Sequence, residues 1–331
     1  MAAADGPAAD APALDVEGLE VRFRAGAGET LAVDGVSLSV DAGAILGLIG
    51  ESGSGKSATL LALAGLLPET ARVGGTIRLL GRTLTDLPER ERARLRGHAL
   101  GMIFQDPGGS LNPVLSVGSQ IDEVVLVHQG RRGRAARRET EALLAQVGIG
   151  DPRRRADAYP HQLSGGMKQR VAIAAALAAR PAAILADEPT TALDATVQAQ
   201  IFALLTGLVE RERMALLLVT HDLAVAAAVA DRIAVLYAGR IVEEGPARNI
   251  AERPAHPYSR ALAQATLPFA ARAPTGGARL PELTGQMPAA GGAGCAFAAR
   301  CPLAIARCRE ETPPLAPWQA GRVACWRAGE A

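Results

Sequence analysis

The run Gly50-Glu51-Ser52-Gly53-Ser54-Gly55-Lys56-Ser57 carries the densest chemistry in the sequence. It fits G-x-x-x-x-G-K-[ST], a loop whose glycines let consecutive backbone N–H groups turn inward around phosphate oxygens. The positive end of a following helix adds to that pull. Lys56 would lie along the β- and γ-phosphates of a nucleoside triphosphate, and the Ser57 hydroxyl would ligate Mg²⁺. Lysine is scarce here, with Lys56 and Lys168 set against 33 arginines. A compact ammonium is kept at the one place where a planar guanidinium would not fit a phosphate nest.

Other residues extend the same chemistry. Asp187 ends an apolar run, where a carboxylate can hold Mg²⁺ through water, and Glu188 next to it can orient a water toward a γ-phosphate. Ser164-Gly165-Gly166 opens a helix with a hydroxyl and bare N–H groups, which makes a second phosphate-binding end. If the two phosphate-binding ends lie on opposite lobes, one phosphate cannot easily meet both within a monomer. Two copies arranged head to tail could sandwich it. Together these features read as a P-loop nucleoside triphosphatase.

The elements that must position these groups follow from periodicity. Ala44–Ile49 reads as a buried parallel strand, and Ala58–Ala64 as a helix ending before Pro68. Val16–Phe23 and Leu31–Val40 alternate like half-buried strands, and Gly74–Gly81 reads as a further short one. Leu100–Phe104 is a strand delivering Gln105 and Asp106 at its C-terminal end. From Pro107 to about Pro160 the pattern is loops and amphipathic helices. The basic run Arg131–Arg138 within it reads as a solvated helix start balanced by Glu139 and Glu141. A helix runs from Leu163 to Arg180, followed by the strand Ala182–Ala186, a helix over about Ala195–Arg211 and the strand Met214–Thr220. That order makes a parallel βαβ unit, which would bring Glu188 and His221 to one sheet edge.

The totals set outer limits. A chain of 331 residues with 49% apolar content can bury a sizeable core, and a formal net charge of +1 argues against a nucleic-acid partner. No run of about 18 uncharged apolar residues is present, so no span of a membrane is expected. Met1–Ala13 lacks the basic and apolar regions of a signal peptide and reads as a disordered tail, and the protein reads as cytosolic. Composition shifts to Pro, Ala and Gly after Gly245, which suggests a boundary there. The four cysteines, Cys295, Cys301, Cys308 and Cys325, all follow it, and in a cytosolic protein they read as ligands rather than disulfides.

Taken in order, these motifs resemble the nucleotide-binding subunit of an ATP-binding-cassette (ABC) transporter over roughly Leu14–Gly245. Gly50–Ser57 matches the Walker A loop and Gln105 the Q-loop, a further Mg²⁺ contact. Leu163–Gln169 matches the LSGGQ-type signature, with Met167 and Lys168 inserted before Gln169. Ile184–Glu188 matches Walker B with its catalytic glutamate, Ala192-Leu193-Asp194 the D-loop, and His221 the switch histidine. Phe23 stands where the family places an aromatic that stacks on adenine, a position that a core residue could equally hold. The resemblance implies an α/β P-loop fold with an inserted helical subdomain (about 107–164), an N-terminal antiparallel β subdomain and a C-terminal extension over 246–331. It also implies an ATPase that closes as a dimer on two ATP molecules.

Narrower phrases resemble the peptide-importer branch, which serves oligopeptides, dipeptides or nickel. They are Phe104–Pro107, Ser110–Pro113, Tyr159–Leu163, Ala186–Asp194, Val197–Gln200 and His256-Pro257-Tyr258. The wording of Ala186–Asp194 looks more like the D-type than the F-type subunit of the usual unlike pair. That resemblance implies an F-type partner, two membrane-spanning permease subunits, an extracytoplasmic binding protein and a peripheral place on the cytoplasmic face of the membrane. Soluble ABC ATPases of ribosomes or chromosomes are a different class, disfavoured by a single cassette and the lack of a heptad run. The cysteine spacing, x5, x6 and x16, resembles the branch's C-terminal cluster and includes Arg300-Cys301-Pro302. Four thiolates can hold a [4Fe–4S] cluster or zinc, with ordinary buried thiols as the remaining reading.

Overall fold

The computed structural model describes residues 11–25, 28–191, 193–266 and 285–330. The first ten residues of the expected tail, and Ala192 of the expected D-loop, lie outside the described residues. In chain order the elements begin with β1 (Leu14–Ala25), β2 (Gly28–Val40), β3 (Ile45–Ile49), α1 (Lys56–Ala64), β4 (Ala71–Leu79), β5 (Arg82–Thr83), α2 (Glu89–Leu95) and β6 (Leu100–Ile103). Next come α3 (Pro107–Ser110), α4 (Val117–Gln129), α5 (Arg134–Gln146), α6 (Pro152–Ala156), α7 (Gly165–Leu177), β7 (Ala183–Asp187), α8 (Ala195–Glu212) and β8 (Ala215–Thr220). The chain closes with α9 (Leu223–Val229), β9 (Arg232–Tyr237), β10 (Arg240–Pro246), α10 (Ala247–Glu252), α11 (Pro257–Thr266), α12 (Ala306–Glu310), β11 (Ala316–Trp318) and β12 (Gly321–Val323).

These elements fall into two compact units, drawn from residues 1–14, 40–44 and 78–217, and from 15–39, 45–77 and 218–331. In the first, β6 and β7 run parallel, with Leu100 opposite Ala183 and Ile103 opposite Ala186. All five residues of β7 are buried, as a strand covered on both faces requires. Helices α3 to α7 lie between β6 and β7 in sequence and bury Ile121, Val125, Leu144, Val171 and Ile173. The basic run meets acids of its own unit: Arg131 pairs with Glu139 at 2.8 Å and Arg137 with Asp157 at 3.2 Å. Helix α7 stops at Leu177, short of the expected Arg180. Arg180 is left-handed at φ 56°, and the residue before a proline avoids helical geometry.

In the second unit a mixed sheet runs in the order β11-β12-β10-β9-β3. β3 is parallel to β9, whereas β9–β10, β10–β12 and β11–β12 pair antiparallel. β2, β1 and β4 lie side by side as an antiparallel N-terminal sheet. Tyr237, Tyr258 and Phe297 are fully buried together, with ring centroids 4.6 to 5.5 Å apart. The boundary that composition suggests at Gly245 is bridged by backbone pairing. Glu243 and Glu244 of β10 face Val323 and Arg322 of β12. Local composition cannot report a strand's partner when that partner arrives some 80 residues later.

Candidate functional site

The glycine loop connects β3, buried along its whole length, to α1. Gly55 caps α1 at φ 107°, a conformation that L side chains rarely adopt, and a Cβ there would stand 2.6 Å from the Ala32 carbonyl oxygen. Lys56 is 6% exposed, and its Nζ donates to the carbonyls of Gly50 at 2.7 Å and Glu51 at 2.9 Å. The ammonium is therefore held over the mouth of the loop by its backbone. Ser57 is exposed at the first turn of α1, and Ser52 and Gly53 are exposed at the loop tip.

Glu51 is held from outside the loop. Its N–H donates to the Tyr258 hydroxyl at 2.8 Å, and its carboxylate takes two bonds from Arg300, at 2.9 and 3.2 Å. Arg300 also donates to the Tyr237 hydroxyl at 3.2 Å. Burial keeps the Tyr258 phenol well above its ordinary range, so the hydroxyl is neutral and presents lone pairs. Neither Tyr258 nor Arg300 is named as a site residue by sequence pattern. They lie 207 and 249 positions from Glu51, beyond the reach of any local signal.

In the other unit, Gln105 and Glu188 leave the ends of the parallel pair β6 and β7. Gln105 Nε2 donates to Glu188 Oε2 at 3.4 Å, and the Thr191 hydroxyl donates to the same oxygen at 3.0 Å. Glu188 is half-buried at φ 42°, a left-handed conformation uncommon for a residue with a side chain. Asp187 ends β7 and is buried. Ser164 caps α7, accepting from the Met167 N–H at 3.3 Å, and Asp194 caps α8, accepting from the Val197 N–H at 3.0 Å. Gly165 is exposed, and a Cβ on Gly166 would fall 2.6 Å from Val197 Cγ1, so α7 begins close against α8. Replacing Ser164 with Ala removes one capping bond. It should cost about 1 kcal/mol of stability, read as a lower urea midpoint at unchanged slope.

His221 is exposed in the short connection from β8 to α9, a helix capped by Asp222. Phe23 is half-buried near the end of β1. Cys295, Cys301, Cys308 and Cys325 line one cavity of about 10 Å³ together with Trp326 and the buried His256. Burial pushes the Cys295 thiol up to about 11, and neighbouring thiols add to the shift. Cys301 and Cys325 move the same way, first through burial. Among the described residues no group of three or more His, Cys, Asp or Glu is arranged to hold a metal ion. The four thiols thus share a cavity without converging on one ion-sized point. No described helix is long and apolar enough to cross a membrane.

Known proteins resemble this chain in sequence and fold. A family model described as ABC transporter matches residues 33–191, and one described as oligopeptide/dipeptide transporter, C-terminal region, matches 242–308. The chain is 48% identical over 300 residues to the dipeptide transport ATP-binding protein DppD of Escherichia coli, covering 90% of each. It is 44% identical over 315 residues to the oligopeptide transport ATP-binding protein OppD of Salmonella typhimurium, covering 94% of this chain and 92% of that one. It is 47% identical to a probable peptide ABC transporter ATP-binding protein, y4tR, of Sinorhizobium fredii, covering 94% of each. Its fold matches a dimeric post-hydrolysis state of the ATP-binding cassette MJ0796 bound to ADP and Pi. There the TM-score is 0.64 at 31% identity, over 71% of this chain and 99% of that one.

Proposed function

The chain belongs to the ABC transporter ATP-binding proteins of the dipeptide and oligopeptide branch, and from that membership we propose how its residues work. It is the ATP-binding and ATP-hydrolysing subunit of a di- or oligopeptide import system. The observation that carries the reading is the loop between β3 and α1, where Lys56 is suspended on the Gly50 and Glu51 carbonyls. A triphosphate would draw the ammonium onto its β- and γ-oxygens, while the loop N–H groups and the start of α1 take the remaining charge. Phe23 stacks on the adenine.

Ser57 and Asp187 offer a hydroxyl and a carboxylate, a donor set suited to a hard divalent cation, with Gln105 as a further contact. Mg²⁺, when bound, neutralises part of the phosphate charge. Glu188 orients the attacking water and accepts its proton, with Gln105 and Thr191 holding the carboxylate in aim. His221 contacts the γ-phosphate. Ser164, Gly165 and Gly166, with Asp194 beside them in the same unit, meet the triphosphate held by a partner cassette. Cassettes of this family dimerise, and we read the partner as an unlike F-type subunit. The pair acts at the cytoplasmic face of the membrane on two permease subunits fed by a binding protein. The cassette proper spans 14–245, with its helical insertion at about 107–164, and the extension spans 246–331.

The test is reconstitution in liposomes with the partner cassette, permeases and binding protein. Labelled dipeptide should accumulate only with ATP. Uptake of nickel without dipeptide would overturn the substrate, and no nucleotide binding would overturn the whole reading.

For the cysteine tail we propose a [4Fe–4S] cluster on Cys295, Cys301, Cys308 and Cys325. What supports it is the donor set alone, four thiols lining one cavity. That cavity is about 10 Å³ and its thiols do not converge on one point, so a cluster would have to draw the four sulfurs into a new arrangement. Protein purified without oxygen should be brown and carry iron and acid-labile sulfide in equal amounts. A colourless protein carrying stoichiometric zinc would eliminate the cluster.

A further inference from the structure

Glu51 has its polar groups engaged in three directions. Its N–H goes to Tyr258, its carbonyl receives Lys56 Nζ and its carboxylate is gripped by both Nη atoms of Arg300. Tyr258 belongs to α11 and Arg300 to the cysteine-bearing tail, so two late segments converge on one residue of an early loop. Both anchors are themselves held firmly. Tyr258 is fully buried among Tyr237, Phe297 and His256, and the Arg300 side chain is 5% exposed. A two-point guanidinium–carboxylate contact fixes orientation as well as distance. The Tyr258 hydroxyl also occupies the Glu51 N–H, so the phosphate-facing donors must come from the residues after it.

We propose that Tyr258 and Arg300 are positioning residues for nucleotide binding: they lock residue 51 of the loop from the C-terminal side and thereby hold Lys56 where a triphosphate needs it. The inference rests on the reading that Gly50–Ser57 binds ATP. A glycine-rich loop left to itself loses considerable backbone freedom on closing round a ligand. Anchors that fix it beforehand remove part of that cost, and affinity rises without any new contact to the ligand. The displacement reaches the ammonium directly, because the carbonyl of the anchored residue is one of the two that hold Lys56.

The experiment measures binding of a fluorescent N-methylanthraniloyl ATP with Mg²⁺ to the full chain, alongside melting temperature and steady-state kinetics. Tyr258→Phe keeps the ring in its aromatic cluster and removes only the acceptor. It should weaken binding by about three- to tenfold, the worth of one net hydrogen bond. KM for ATP should rise with it while kcat changes little. Arg300→Met should weaken binding at least as much and Arg300→Lys by less. Once Arg300 is Met, a further Glu51→Gln change should add almost nothing, because the two residues act as a pair. Should Arg300→Met fail to fold, Tyr258→Phe decides the matter alone. Unchanged nucleotide affinity in Tyr258→Phe, with or without a lower melting temperature, would overturn the positioning role. Failure of the wild-type chain to bind would instead remove the reading beneath it.

Discussion

Replacing Glu188 with Gln should leave ATP binding and ATP-dependent association with the partner cassette intact, and cut phosphate release by about a hundredfold or more. The substitution preserves size, and its amide oxygen can still accept from Thr191, as the carboxylate does at 3.0 Å. What disappears is the charge that, in the proposed role, would take a proton from the attacking water. Glu188 adopts φ 42° one residue beyond a fully buried strand, and backbone strain at a strand end is a common mark of a residue placed for chemistry. Size-exclusion chromatography with and without ATP, paired with a phosphate-release assay, gives both readouts. Turnover at the wild-type rate would take Glu188 out of its role.

Lys56→Met should lower ATP affinity by about two orders of magnitude, the worth of losing charge-assisted contacts to two phosphates. Lys56→Arg should not rescue it. The side chain is nearly buried between two carbonyls at 2.7 and 2.9 Å, a space sized for three tetrahedral donors rather than a planar fork. Equilibrium binding decides this, with circular dichroism confirming that each variant is folded. Arginine restoring wild-type affinity would show that only charge matters at this position.

Much of the site was legible because its motifs carry local backbone demands. A buried strand, a loop rich in glycine and a helix announce the triphosphate loop from sequence, since only glycine meets φ 107° at Gly55 with the Ala32 carbonyl so near. Ser164 is likewise readable at the start of its helix, because a cap needs only its own helix, whereas the resemblance assigns Asp194 to the D-loop and its capping of α8 comes from the structure. The phrase His256-Pro257-Tyr258 and the arginine before Cys301 were visible as resemblances without a physical task. Their task depends on a fold that returns α11 and the tail to the loop, and no periodicity encodes that return. The pairing of β10 with β12 across the change of composition at Gly245 is unreadable for the same reason, and α7 stops short of Arg180 because Pro181 bears on the residue before it.

The pairing of β10 with β12 bears on how this protein can be trimmed. A truncation at Pro246, chosen to make a minimal catalytic fragment, would strip β10 of its neighbour and bare a row of amides and carbonyls. Glu244 is almost wholly enclosed and ion-paired with both Arg232 and Arg322, so the cut would also leave an interior carboxylate with one guanidinium gone. A shortened polypeptide would therefore carry a bare strand edge open to pairing with other copies of itself, and a soluble fragment should extend at least through β12.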